Sequence, residues 1–192
     1  DYLDYNIKNL LEKYGFCESD RVILFVGRMT AEKQPIKMID IFYKIYQQNK
    51  QFRLVMIGQG ELANAVQQRI TKYNLMPYIT IYNKVSNDKM WELYRISECY
   101  INLNTHEIFG MAILEAMYYE CTVIALNAPG PAYIIENNVS GYLCENEAEV
   151  VEKVISCGSD QMGNVAKKRV LDCFTWDKSA QILLEIIRDC AL

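Results

Sequence analysis

Six short runs of consecutive apolar residues recur along the chain, and each is followed by a stretch with helical spacing. The runs are RVILFVG (21–27), FRLVMIG (52–58), YITIYN (78–83), CYINL (99–103), CTVIAL (121–126) and GYLC (141–144). Strands that are continuous in Val, Ile and Leu, without alternation, are buried on both faces. Parallel strands need crossover connections, which are usually helices, and those helices cover both faces of the sheet. The expected fold is therefore α/β: a doubly wound parallel sheet of about six strands, built as a single domain over residues 1–192.

The intervening stretches read as helices. DYNIKNLLEKYG (4–15) ends at Gly15. PIKMIDIFYKIYQQN (35–49) carries Pro35 in its first turn and apolar residues at 38, 39, 42, 45 and 46. ELANAVQQRITKYN (61–74), NDKMWELYRIS (87–97, with Asn87 or Asp88 near the cap), MAILEAMYY (111–119) and PAYIIENN (131–138) follow. EAEVVEKVIS (147–156), a segment around 160–173 and DKSAQILLEIIRDC (177–190) complete the chain. The basic run KKR (167–169) is best explained as a solvated helix face.

The bulk numbers exclude some classes. A formal net charge of −4 argues against a nucleic-acid-binding surface spread over the molecule. The apolar runs are far too short to span a bilayer, and no signal peptide is visible. The chain begins at Asp1 and is expected to be a piece of something longer. Seven cysteines, at 17, 99, 121, 144, 157, 173 and 190, form no C-x-x-C pair. They read as reduced thiols of a cytoplasmic protein. With His106 the single histidine, a structural zinc site is not expected.

In the common doubly wound order, 3-2-1-4-5-6, the first and fourth strands are neighbours. Their connections diverge and open a crevice at the carboxyl ends, where ligands bind. The first strand runs into VGRMTAEK, carrying Gly27, Arg28 and Lys33. The fourth runs into NTHEIFG, carrying His106, Glu107 and Gly110, and the fifth into NAPGP, carrying Gly130. Cations and the helix amino termini after Gly110 and Gly130 suit anionic groups. Glu107 suits neutral hydroxyls. Phosphates with hydroxyls mean a nucleotide or a sugar phosphate. Taken singly, Arg28 is equally a surface cation and Lys33 a solvated first-turn residue. Glu115 sits among Ile113, Leu114, Ala116 and Met117, on a helix that looks largely buried, and a carboxylate there wants a partner. Trp91, Tyr133 and Trp176 read as packing residues.

GQGELA, after the second strand, matches the dinucleotide pattern G-x-G-x-x-A at Gly58, Gly60 and Ala63. That pattern belongs after the first strand. The next strand also ends near Tyr82, Asn83 and Lys84 and not in the acid a ribose requires. A nicotinamide enzyme is thus a minor alternative.

FVGRMTAEK, LVMIGQGEL, HEIFGMAILEAM and PGPAYIIENNVSGYL, in this order and spacing, resemble the carboxyl-terminal domain of glycosyltransferase family 4. These are retaining enzymes of the GT-B fold. The likeness runs from about residue 21 to the end, where FTWDKSAQILLEII looks like the family's closing helix. It implies a Rossmann-like domain that binds a sugar-nucleotide donor. By it, Arg28 and Lys33 match the pair that holds the donor diphosphate, and Glu107 and Glu115 match the E-x7-E pair. Glu107 would bind sugar hydroxyls and Glu115 the ribose. The backbone at Ile108, Phe109, Gly110 and Met111 would face the distal phosphate or the sugar. Lys84 and Val85 would hold the base. Gly27, Gly58 and Gly130 would line the donor pocket, with the GQG segment a close backbone approach and no cofactor loop.

The resemblance implies no cofactor and no metal, since fixed cations and amide dipoles stabilise the leaving diphosphate. It implies one partner domain, the enzyme's own N-terminal acceptor domain, absent from this chain. Membrane association is expected only through that half or the acceptor. The chain departs from the family pattern at Gln34, where glycine follows the lysine; at Glu120-Cys121-Thr122, where Gly-x-Pro precedes the fifth strand; and at Tyr133, where a glutamate is usual. A degenerate, non-catalytic partner domain and a GT-B sugar-nucleotide epimerase are the alternatives.

Overall fold

The computed structural model describes residues 6–158 and 162–190. The strands are β1 (Arg21–Val26), β2 (Phe52–Ile57), β3 (Ile79–Tyr82), β4 (Ser97–Asn102), β5 (Thr122–Leu126) and β6 (Tyr142–Cys144). They form one parallel sheet in the order β3-β2-β1-β4-β5-β6, so β1 and β4 are neighbours as expected. The helices are α1 (Ile7–Lys13), α2 (Pro35–Gln48), α3 (Ala63–Lys72), α4 (Asn87–Ile96), α5 (Met111–Tyr118), α6 (Pro129–Ile134), α7 (Glu147–Ser156), α8 (Met162–Cys173) and α9 (Trp176–Cys190). The start of the first expected helix and of the segment near 160 lie outside the described residues.

Strand residues alternate between two cores. Ile23 and Phe25 of β1 point with Leu54, Met56, Ile101 and Ile124 toward α2, α3 and α7. Val22 and Leu24 point with Val55, Tyr100, Val123 and Ala125 toward α1, α4 and α5. The four inner strands thus bury both faces, which is why their sequences show no alternation, while the edge strands β3 and β6 stay largely half-buried.

Several local expectations change. Ser86 stands at the α4 cap position, with Asn87 and Asp88 next to it as the first helical residues. The helix expected over 131–138 is α6, beginning at Pro129 and ending at Ile134. KKR is a solvated face only in part: Lys168 is exposed, but Lys167 pairs with Glu120 at 2.7 Å, and Arg169 Nε donates to Ile134 O at 2.6 Å. Trp91 is buried, but Trp176 is 90% exposed and Tyr133 66%, so neither is a core residue. α9 is exposed along its length and packs little of itself on this domain.

Candidate functional site

Lys33 and Glu107 meet where the topology puts the crevice. Lys33 ends the short turn Ala31–Lys33 after β1, and Glu107 lies in the loop after β4. Lys33 Nζ stands 2.5 Å from Glu107 Oε2, and the side chains are 24% and 17% exposed. Asn102 Nδ2, at 3.5 Å, and Asn104 Nδ2, at 3.3 Å, donate to the same oxygen. Burial works against a charged Glu107. The hydrogen bond and attraction of Lys33 outweigh it with help from the two asparagines, and the carboxyl is held below its ordinary pKa. Glu107 is an anion and an acceptor only.

The loop bearing Glu107 is tied down by its own polar groups. Asn102 Oδ1 accepts from Asn104 N–H and Asn104 Oδ1 from His106 N–H, both at 2.9 Å. Gly130 N–H donates to Glu107 O at 2.7 Å. A Cβ at Gly130 would lie 2.6 Å from that carbonyl and equally near Phe109 O. The Gly130 amide is therefore spent on holding the loop, and Gly130 is not among the residues lining the cleft beside α5.

Gly110 caps α5 at φ +101°, a left-handed conformation that suits glycine. The first N–H groups of α5 have no acceptor within the helix and carry partial positive charge. A cleft of about 490 Å³ opens beside them. Gly27, Lys33 and Glu107 line it together with Ile108, Phe109, Gly110 and Met111.

The other predicted residues are not among those lining this cleft. Arg28 is 73% exposed, pairs loosely with Glu32 at 3.8 Å, and lines a hollow of about 270 Å³ with Thr30 and Glu61. Gly58 and Gly60 seat the loop after β2 against the loop after β1. A Cβ at Gly58 would come within 1.9 Å of Gly27 O, and one at Gly60 within 2.6 Å of Met29 O. The GQG segment is thus a close backbone approach. Lys84 is exposed, and Val85 packs against the core beside Tyr82. Ile113, Leu114, Ala116 and Met117 of α5 are buried as expected, while Glu115 itself is exposed. It still has a partner, the hydroxyl of Tyr94 at 2.9 Å. Among the described residues, no group of three or more His, Cys, Asp or Glu could hold a metal ion, and no helix is long and apolar enough to cross a membrane.

The family described as "Glycosyl transferases group 1" matches residues 6–169. The chain belongs to that family. Among curated relatives, this group 1 chain is similar to alpha-1,3/1,6-mannosyltransferase ALG2 of Homo sapiens, 35% identical over 121 residues, 60% of this chain and 28% of that protein. Among solved structures it is similar to HepE of Anabaena in complex with UDP-glucose. That match has a TM-score of 0.83 and 20% identity, covering 95% of this chain and 52% of that one. It is also similar to the C-terminal domain of the group 1 protein LpcC from Francisella tularensis. There the TM-score is 0.79 and identity 19%, covering 91% of this chain and 96% of that one. The chain spans about half the length of the curated relatives matched along nearly all of it, 48% and 51%.

Sequence reasoning missed Asn102, Asn104, Gln34 and Tyr94 as supports of this group 1 site. Gln34 Nε2 donates to Leu103 O at 2.6 Å, tying the Lys33 turn to the Glu107 loop. A signal existed for the asparagines, since CYINLN places two amides at the end of an otherwise apolar strand, where buried polar groups need partners. For Tyr94 there was none, because its spacing fits a core tyrosine.

Proposed function

We propose that the chain is the donor-binding half of a retaining glycosyltransferase. Such an enzyme moves a hexose-type sugar from a nucleotide-diphosphate sugar to a glycan, lipid-linked or other acceptor. The observation that carries this is the Lys33–Glu107 pair, held at the mouth of the cleft beside the glycine-capped start of α5. The complex of HepE with UDP-glucose lends support from a relative of the same fold.

In this reading a donor diphosphate takes the Lys33 ammonium and the α5 amides, with Arg28 free to swing in from its exposed position. As the glycosidic bond breaks, charge builds on the leaving phosphate, and fixed cations and amide dipoles stabilise it. Glu107 keeps its asparagine donors on Oε2 and accepts sugar hydroxyls through Oε1. Glu115 reads the ribose, and the loop at Lys84 and Val85 faces the base. No metal is needed for this charge balance. The glutamates position the donor and do not act as a glycosidase acid and base, which must flank the bond. The acceptor is bound by an N-terminal domain outside this chain. The exposed apolar stripe of α9, with Ile182, Leu183, Ile186 and Ile187 53–57% exposed, supports cover by further protein. Free thiols at Cys17, Cys99, Cys121, Cys144, Cys157 and Cys173 suit a cytoplasmic setting, with any membrane contact made through the acceptor half.

Calorimetric titration of the chain with UDP, GDP and ADP tests the reading. One of the three is expected to bind, and Lys33→Ala and Arg28→Ala are each expected to weaken it about a hundredfold, the scale of a lost charge-assisted phosphate contact. Glu115→Ala is expected to weaken it less. Absence of binding to all three would favour the non-catalytic partner reading, which the departures at Gln34, Glu120 and Tyr133 keep in play. On the complete enzyme, an inverted anomeric product would overturn the retaining assignment.

A further inference from the structure

Tyr94 of α4 is 1% exposed, yet its hydroxyl reaches the edge of the fold and donates to Glu115 Oε2 at 2.9 Å. The ring is clamped on two sides. Tyr119 stacks on it at 6.0 Å with 12° between the planes, and Tyr100 meets it edge-on at 6.2 Å and 74°. Burial, with Tyr100 and Glu115 adding to it, raises the pKa of this hydroxyl far above the ordinary tyrosine range. It therefore stays protonated and stays a donor wherever the protein is folded.

Stability alone gives this hydroxyl little reason to exist. Phenylalanine fills the same volume, and an exposed glutamate is solvated without help. Ordering an exposed carboxylate against a single partner gains little, because the lost side-chain freedom offsets it. What the bond does accomplish is geometric. A rigid, buried phenol fixes the plane of the Glu115 carboxylate and occupies Oε2, leaving Oε1 to other partners in one orientation. Glu107 is treated in the same way, with Lys33, Asn102 and Asn104 all on Oε2.

We propose that Tyr94 is a positioning residue that presents Glu115 Oε1 to the ribose hydroxyls of the bound donor nucleotide. The proposal rests on the reading of Glu115 given above. Preorganisation of this kind raises affinity by removing the ordering cost from the binding step.

The test uses the 192-residue chain and two probes. The first is whichever of UDP, GDP or ADP the wild type binds. The second is inorganic pyrophosphate, which shares the diphosphate and lacks the ribose. Tyr94→Phe is expected to weaken the nucleotide about tenfold, a loss near 1.4 kcal/mol by the standard conversion, and to leave pyrophosphate unchanged. In a Glu115→Ala background, Tyr94→Phe is expected to have no further effect, since it acts through that carboxylate. Equal weakening of both probes would mark a merely structural role. So would a Tyr94→Phe effect that adds in full to Glu115→Ala, and either result overturns the proposal. Unchanged nucleotide affinity in Tyr94→Phe overturns it too while leaving the donor-site reading intact. A wild type that binds none of the three nucleotides removes both together.

Discussion

The two edges of the sheet use the same kinds of residue in opposite ways. At the amino edge the charges are closed off. Arg21 Nε donates to Glu98 Oε2 at 2.8 Å, and its Nη2 contacts Glu98 Oε1 and the Cys157 carbonyl. The guanidinium also lies over the Phe52 ring at 4.3 Å. Arg53 pairs with Asp20 at 2.9 Å and donates to the carbonyls of Lys50 and Phe52. At the carboxyl edge the Lys33–Glu107 pair is closed, but other groups stay open. Arg28 is 73% exposed and pairs loosely with an exposed glutamate at 3.8 Å. Thr30 Oγ1 is buried without a partner among the described residues. The first amides of α5 face a cleft. An edge that only has to hold together satisfies its donors internally, and the open donors of the carboxyl edge suit the ligand site proposed there.

The sharpest way to break this comparison is to open the closed edge. Glu98→Ala leaves a mostly buried guanidinium without its carboxylate. The side chains are 23% and 20% exposed, so the full penalty of a buried pair is discounted to about 2 kcal/mol. Urea denaturation is expected to report that loss while affinity for a nucleoside diphosphate stays unchanged. An affinity that fell with stability would mean the two edges are coupled.

A smaller effect sets the carboxyl edge against pH. The folded pKa of Glu107 is depressed, so its contribution to stability is present above the unfolded value of about 4.3 and is lost as pH falls through the lower folded value. Glu107→Gln is therefore expected to be less stable than wild type at pH 7 by about 1 kcal/mol. The gap should close in acid, below about pH 4. Melts in a pH series check this, and a gap that widened on acidification would show that Glu107 is not held as an anion.

The contrast between edges also explains what could be read in advance. Continuous apolar runs dictated the sheet, and the topology rule then placed Lys33 and Glu107 on neighbouring strand ends. Those inferences need only periodicity and chain order. The support residues escaped because their chemistry depends on register. Nothing in Tyr94 separates a core tyrosine from one whose hydroxyl meets Glu115 twenty-one residues on. Gly130 is a related case, since sequence shows a glycine near a helix start, and only the packed loop shows its N–H given to Glu107. Trp176 read as a packing residue because size and apolarity are visible in sequence, while its 90% exposure among the described residues is not.

The smallest expected effect lies at Gln34, and it bears on how the open edge is kept rigid. Gln34 sits at φ 55° and ψ 46°, a left-handed conformation that costs a side-chain-bearing residue about 1 kcal/mol. Its amide donates to Leu103 O at 2.6 Å, a bond with a net contribution of about 1 kcal/mol. The two terms nearly cancel. Gln34→Gly relieves the strain and forfeits the bond, so its stability should stay within about 0.5 kcal/mol of wild type. Gln34→Ala keeps the strain and loses the bond, and should fall about 1 kcal/mol below both. Leu103 lies between the two asparagines that hold Glu107, so both variants should also loosen the site, seen as a modest loss of nucleotide affinity. Urea denaturation of the three proteins orders them. If alanine proved more stable than glycine, the left-handed strain would not be what the Gln34 amide offsets, and the tie between the Lys33 turn and the Glu107 loop would need another source.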